Sequence, residues 1–149
     1  MIIRRLLIAN RGEIAARVIR TCRRLGIETV LAASEADLES VPARLADRVI
    51  CIGPPTPAKS YLDARAVVAA AATARAEAIH PRYGLLSENA VLATLCSQAG
   101  VIFIGPTIEQ LAAVGDKLQA RQHAVAAGLL LDEDLTLVDT RSKIHPVVQ

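Results

Sequence analysis

The chain has 149 residues, a formal net charge of +2, 52% hydrophobic residues and 21% charged residues. This length and hydrophobic content predict a soluble chain with one well-buried core, and the nearly balanced charge argues against a nucleic-acid partner. The apolar runs are short or interrupted by arginine, so neither a signal peptide nor a membrane-spanning helix is expected.

The cysteines and histidines lack the spacing of a disulfide framework or a metal site. Cys22, Cys51 and Cys96 stand far apart among apolar neighbours. This predicts three buried free thiols and, with them, a reducing, cytoplasmic location. The three histidines have no partner at metal-ligand spacing, so no metal site is predicted.

Taken in chain order, short apolar runs alternate with stretches of helical periodicity. Strands are predicted at residues 6–9, 29–33, 49–52, 78–79 and 101–104. Strands that alternate with helices form a parallel sheet, so the predicted class is α/β, a Rossmann-like parallel sheet flanked by helices in a single domain. This domain is assigned to residues 1–128. Residues 129–149 are assigned to a divergent C-terminal tail with one edge strand at 135–138.

The stretch between the first two strands predicts an amphipathic helix. Its apolar face consists of Ile14, Ala15, Val18, Ile19 and Cys22. Its arginines, Arg17, Arg20, Arg23 and Arg24, fit a solvated surface, a protein interface or a nucleic-acid contact. Aromatic residues make up 2% of the chain, which leaves little for a base to stack on and counts against nucleic acid.

Two later helices carry start signals at their predicted ends. Ser60 and Asp63 have the spacing of a capping box, and so do Thr107 and Gln110. A further helix is predicted over residues 116–127, followed by a glycine in the position that a C-terminal cap favours.

The loop after the first strand, ANRGE, contains one glycine. A dinucleotide site needs G-x-G-x-x-G, so a nicotinamide or flavin cofactor is not expected. Asn10 and Arg11 could bind an anion, while a helix cap and a solvated charge are the simpler interpretations.

The loop after the fourth strand, IHPRYGLLSENA, concentrates polar side chains. Ligands of a parallel sheet bind outside the carboxyl ends of the strands, so Tyr83, Gly84 and Glu88 are candidates for holding a small polar ligand. The structural alternative is that Ser87 caps the next helix with Glu88 in its first turn. Further along, Lys117 in the segment GDK begins a helix, where a cation suggests a phosphate contact.

Six segments resemble, in order and spacing, the N-terminal domain of biotin carboxylases. They are IANRGEIAARVIRTCRRLGI, RLADRVICIGP, SYLD, AIHPRYGLLSENA, FIGPT and GDK, and the resemblance covers about residues 2–128. It implies a Rossmann-like sheet that precedes an ATP-grasp module. It also implies a reaction in which ATP and bicarbonate give carboxyphosphate, whose CO₂ passes to biotin on a carrier domain.

The resemblance assigns roles to individual residues. Tyr83 and Gly84 would lie against the biotin ring, and Glu88 would lie beside the bicarbonate pocket. Lys117 would reach an ATP phosphate, and the first helix would place Arg17 and Arg20 in a dimer interface. The sequence departs from the family pattern at Arg82, which replaces a glycine, and at Arg24, which replaces a residue that is commonly acidic. After Gly128 it reads LLLDEDLTLVD, where the family continues through a valine-proline turn into the ATP-grasp module.

Two hypotheses follow. In the first, the chain is the N-terminal domain of a biotin carboxylase that uses ATP, biotin and Mg²⁺ and whose partners are the rest of the carboxylase and a biotin carboxyl carrier domain. The chain alone is then expected to be inactive, without a catalytic residue of its own or a tightly bound cofactor, and to dimerise weakly. In the second, it is a non-catalytic interaction or dimerisation module derived from that domain.

Overall fold

The computed structural model describes residues 2–81, 83–115 and 117–128. The chain divides into two compact units, the first ending at Ala112 and the second beginning at Ala113. The predicted edge strand at 135–138 lies outside the described residues, and the domain boundary at residue 128 stays a prediction.

The described residues contain a five-stranded, wholly parallel sheet in the order β3-β2-β1-β4-β5. Its strands are β1 (Arg5–Ile8), β2 (Glu28–Ala33), β3 (Arg48–Cys51), β4 (Ala78–His80) and β5 (Ile102–Phe103). Each coincides with a predicted strand to within two residues at either end. The predicted α/β class with a parallel sheet is therefore confirmed.

Between the strands lie the helices α1 (Gly12–Arg24), α2 (Val41–Leu45), α3 (Ala64–Ala74) and α4 (Ala90–Gln98), as the alternating pattern predicts. After β5 come α5 (Ile108–Gly115) and α6 (Lys117–Ala126). Short 3₁₀ turns lie at Glu35–Asp37 and Pro57–Lys59. Within the described residues, no helix is both long and apolar enough to cross a membrane.

An apolar cluster covers each face of the sheet, since side chains alternate between the faces along each strand and helices pack on both faces. Leu7 of β1 packs in a cluster with residues of α3 and α4 such as Val67 and Leu92. Leu6 and Ile8 point the other way, into a cluster with α1 and α2. The predicted apolar face of α1 is confirmed, since Ala15, Val18, Ile19 and Cys22 are buried and Ile14 is half-buried.

One predicted capping box forms and the other does not. Thr107 and Gln110 exchange hydrogen bonds, with Thr107 N donating to Gln110 Oε1 at 2.9 Å and Gln110 N donating to Thr107 Oγ1 at 3.2 Å. Ser60 does not open α3, because its hydroxyl donates to the carbonyl of Thr56 in the preceding turn. Asp63 is the cap instead, and its carboxylate accepts from the amides of the first turn of α3.

The prediction of three buried thiols is right for two of them. All three cysteines are free, but only Cys22 and Cys96 are buried. Burial raises the pKa of Cys96 to about 11 and also raises the pKa of Cys22. Cys51 is exposed because it ends β3, which is an edge strand of the sheet.

Candidate functional site

The candidate site lies at the carboxyl ends of β1 and β4, which are neighbours in the sheet. From β1 the chain crosses to β2 on one side, and from β4 it crosses to β5 on the other. Such a reversal of strand order leaves a crevice between the two outgoing loops, which is where parallel α/β sheets bind ligands. The two loops here are residues 9–11 and 81–89.

A buried asparagine joins the two loops across this crevice. Asn10 is 3% exposed, and its amide nitrogen Nδ2 donates to the carbonyl oxygens of Pro81 at 3.1 Å and Tyr83 at 3.0 Å. Its Oδ1 accepts from Arg11 N at 2.8 Å. The interpretation of Asn10 as a helix cap is therefore wrong. Arg11 is the N-cap residue of α1, without a side-chain cap bond.

Tyr83 and Gly84 lie at the mouth of the crevice. The Tyr83 side chain is 79% exposed although its carbonyl group is held by Asn10. Gly84 and Leu85 follow with φ of +72° and +52°, and Leu86 then turns inward to 2% exposure. The backbone thus projects Tyr83 and Gly84 outward between two anchored positions.

Glu88 lies on the same loop with its carboxylate exposed. The structural alternative for Ser87 and Glu88 is wrong, because α4 begins only at Ala90 and its cap is Asn89, whose Oδ1 accepts from Leu92 N at 3.0 Å. Ser87 instead donates its backbone N–H to the carbonyl of Gly84 at 3.0 Å. Glu88 therefore precedes the helix, and no capping function accounts for it.

Two sequence-predicted positions cannot be placed in this geometry. Arg82, which departs from the family pattern, lies outside the described residues. Lys117 is the first residue of α6, in the second compact unit, and its side chain also lies outside the described part of the structure. Contact between Lys117 and an ATP phosphate stays a prediction.

A second polar network, around Tyr61, was not predicted. The Tyr61 hydroxyl donates to Asp37 Oδ2 at 2.7 Å and accepts from Ser34 N at 3.0 Å, while the Ser34 hydroxyl donates to the same carboxylate oxygen at 2.9 Å. Tyr61 is 2% exposed, and burial raises the pKa of its hydroxyl. The Arg11 guanidinium lies 5.7 Å from the ring centroid, within cation–π range.

This network ties together the loops that follow β1 and β2 and the turn before α3. The sequence signal was the segment SYLD, which holds one of the two tyrosines of the chain. The segment contributed to the resemblance, but its tyrosine received no role. A buried tyrosine hydroxyl usually finds a hydrogen-bond partner, but the local sequence does not distinguish the buried Tyr61 from the exposed Tyr83.

The arginines of α1 form an exposed surface, which we call the arginine face (Arg17, Arg20, Arg23 and Arg24). Together with Thr21 they line a shallow hollow of about 620 Å³. Arg23 also donates to the carbonyl of Leu45 at the end of α2, at 2.8 Å. Assignment of Arg17 and Arg20 to a protein interface stays a prediction.

Comparison with known proteins decides the family. Residues 2–111 match the family model described as biotin carboxylase, N-terminal domain. The chain belongs to the biotin carboxylase N-terminal domain family. This confirms the resemblance that the six segments indicate.

The curated relatives include biotin carboxylases and propionyl-CoA carboxylase alpha chains. The chain is 49% identical over 125 residues to a biotin carboxylase of Haemophilus influenzae, covering 84% of this chain and 28% of that one. It is 42% identical over 153 residues to the mitochondrial propionyl-CoA carboxylase alpha chain of Sus scrofa, covering 97% of this chain and 21% of the relative. The chain therefore spans about a fifth to a third of the length of these relatives.

Solved structures show the same fold. The biotin carboxylase domain of a thermophilic 2-oxoglutarate carboxylase, bound to bicarbonate, matches with a TM-score of 0.82 and 41% identity, covering 87% of this chain and 29% of that one. The Kluyveromyces lactis urea amidolyase matches with a TM-score of 0.83 and 40% identity, covering 85% and 8%. At these identities the likeness extends from the fold to the sequence.

Proposed function

We propose that the chain is the N-terminal part of a biotin-dependent carboxylase and forms one wall of the site where ATP and bicarbonate carboxylate biotin. The family match over residues 2–111 carries this proposal. The crevice supports it, because the loop of residues 81–89 lies where a parallel sheet binds its ligands.

Tyr83 and Gly84 are the proposed contacts to the biotin ring. The exposed Tyr83 ring offers a flat apolar surface, and the open space where a Cβ of Gly84 would stand lets a ligand approach the backbone closely. Glu88 is proposed to lie beside bicarbonate, where its carboxylate can accept a hydrogen bond from the bicarbonate hydroxyl group.

ATP and Mg²⁺ are proposed to bind mainly to other parts of the parent enzyme. Lys117 is the proposed contribution of this chain to the ATP phosphates, for which a lysine is a suitable cationic partner. Among the described residues, no group of three His, Cys, Asp or Glu side chains is placed to hold a metal ion. The ligands of the magnesium that accompanies ATP are therefore sought outside those residues.

The proposed partners are the remainder of the biotin carboxylase and the biotin carboxyl carrier domain. Arg17 and Arg20 are proposed interface residues, because exposed arginines are common at the centre of protein interfaces. We propose a cytoplasmic location on the basis of the three free cysteines.

A graft tests the proposal in a complete enzyme. Residues 1–128 would replace the matching segment of the Haemophilus influenzae biotin carboxylase, to which the chain is 49% identical. We expect the purified graft to hydrolyse ATP in a bicarbonate- and biotin-dependent way, and Tyr83→Ala to raise the KM for biotin. The 149-residue chain alone is the negative control, because it has no described metal-binding group to assist phosphoryl transfer.

Two outcomes distinguish the carboxylase from the non-catalytic module. A graft that folds but shows no biotin-dependent turnover, in both wild-type and Arg82→Gly forms, would contradict the proposal and favour an interaction module. If turnover appears only after Arg82→Gly, the departure at this position is what separates the chain from active relatives.

A further inference from the structure

We propose that Asn10 is a positioning residue that sets the conformation of the loop carrying Tyr83 and Gly84. The proposal deepens the proposed function, since it rests on that loop being the biotin wall. It assigns Asn10 a positioning role, whereas the sequence had suggested an anion contact or a helix cap.

The hydrogen bonds of the Asn10 side chain attach it to the loop that carries Tyr83. Both N–H groups of its amide are used, one on the carbonyl of Pro81 and one on the carbonyl of Tyr83, and Oδ1 accepts from the next backbone amide. Three of the four hydrogen bonds that an asparagine side chain can make are therefore formed at a position that is 3% exposed. An amide this well satisfied and this deeply buried has one orientation.

The loop it holds needs external support. Gly84 and Leu85 are consecutive residues at positive φ, and for leucine this region is strained. The bonds from Ser87 N to the Gly84 carbonyl and from Asn89 N to the Leu86 carbonyl are local and do not attach the loop to the sheet. Asn10 at one end and the buried Leu86 at the other provide that attachment.

Strand pairing gives Asn10 a fixed base. Ile8 is in register with His80, and Ala9 N donates to the carbonyl of His80 at 3.1 Å, which extends the β1–β4 pairing to the residue before Asn10. The donor of the two bonds is thus anchored to the sheet core, while Tyr83 lies at the surface. The Asn10 side chain therefore holds the loop that carries Tyr83 in a fixed position relative to the sheet.

Fluorine NMR of the chain labelled with fluorotyrosine tests the proposal directly. The chain has two tyrosines, and Tyr83→Phe assigns their resonances. We expect Asn10→Ala to shift or broaden the Tyr83 resonance more than that of Tyr61, which Asn10 reaches only through Arg11. The control is Thr29→Val, which removes the two hydrogen bonds between the Thr29 hydroxyl and Asp47 near the amino end of β2 and should leave the Tyr83 resonance at its wild-type position.

A second variant separates hydrogen bonding from packing. Asn10→Asp keeps the shape of the side chain but turns a carboxylate toward two carbonyl oxygens. Burial and the lost donors raise the pKa of the introduced carboxyl group, and its protonation returns one donor. The Tyr83 resonance of this variant should therefore move back toward its wild-type position as the pH falls, while the wild-type spectrum does not follow the same titration.

The result that overturns the proposal is a Tyr83 resonance that stays at its wild-type position in both folded Asn10 variants. In the active graft, Asn10→Ala should raise the KM for biotin about tenfold by misplacing the binding loop, with the KM for ATP within about twofold. An unchanged KM for biotin would overturn the link to binding. An inactive wild-type graft would instead count against the proposed function, and the NMR result would still decide the positioning.

Discussion

At the scale of single residues, two tyrosines of one chain have opposite environments. Tyr83 is exposed at the crevice with its side chain free for a ligand, whereas the Tyr61 hydroxyl bridges a buried backbone amide and a carboxylate. A phenol with two hydrogen-bond partners inside the protein contributes to stability, and an exposed one contributes little. The same residue type therefore supports the fold at one position and is exposed to solvent at the other.

Tyr61→Phe is expected to lower the free energy of unfolding by about 1–3 kcal/mol, because it leaves the buried Ser34 N–H without its acceptor. Tyr83→Phe is the matched control and should change it by less than about 0.5 kcal/mol, since its side chain is exposed. Urea denaturation of the three proteins measures both values. Equal midpoints for the two variants would show that the Tyr61 network does not stabilise the fold.

At the scale of elements, polar contacts near the amino end of the sheet attach the connection before β3 to β2. Thr29 donates its backbone N–H and its hydroxyl to Asp47 Oδ2, both at 2.8 Å, and accepts from Asp47 N at 3.1 Å. The two bonds from Thr29 lower the pKa of Asp47. This pair lies at the opposite end of the sheet from the candidate site.

The lowered pKa of Asp47 predicts a pH dependence of stability. A carboxyl group whose pKa is lower in the folded state stabilises the protein fully above its unfolded pKa of about 3.9, and this contribution is lost as the pH falls through the folded value. The urea midpoint of the wild type should therefore fall more steeply below about pH 4 than that of Asp47→Asn. If the urea midpoints of the two proteins fell in parallel as the pH is lowered, Asp47 would not have a lowered pKa in the folded state.

At the scale of the whole molecule, the proposed interface is the arginine face, whose charge bears on how the chain could pair with its own copy. Helix α1 carries four arginines and one glutamate. In a symmetric dimer the same surface meets its own copy, so this face would bring arginine toward arginine. Such a contact is unfavourable unless acidic groups from another segment or another chain join the interface.

We therefore expect the chain alone to be mostly monomeric, with any dimer weak and salt-sensitive, because a stable contact needs about 1,000 Å² of buried surface. Sedimentation velocity at low and high salt measures this. Arg17→Glu and Arg20→Glu should change the fraction of dimer that is observed. A tight dimer that neither substitution affects would show that its interface lies away from the arginine face.

The sequence by itself determined the order of strands and helices along the chain, the apolar face of α1, the capping box at Thr107 and Gln110, and the family. The first three depend on residues that are close together in the chain, and the family depends on sequence segments that can be compared with those of known proteins. It also identified Tyr83, Gly84 and Glu88 as candidates, because they follow a strand of a parallel sheet.

Only the tertiary structure decided the contacts between distant segments. Asn10 meets Pro81 and Tyr83 across 71 and 73 residues of sequence, and Tyr61 meets Asp37 and Ser34 across 24 and 27. Cys51 is exposed because the strand order places β3 at an edge, and Asn89 rather than Ser87 caps α4. Local pattern cannot fix such choices, since a polar side chain takes its partner from whatever strand pairing brings within hydrogen-bonding distance.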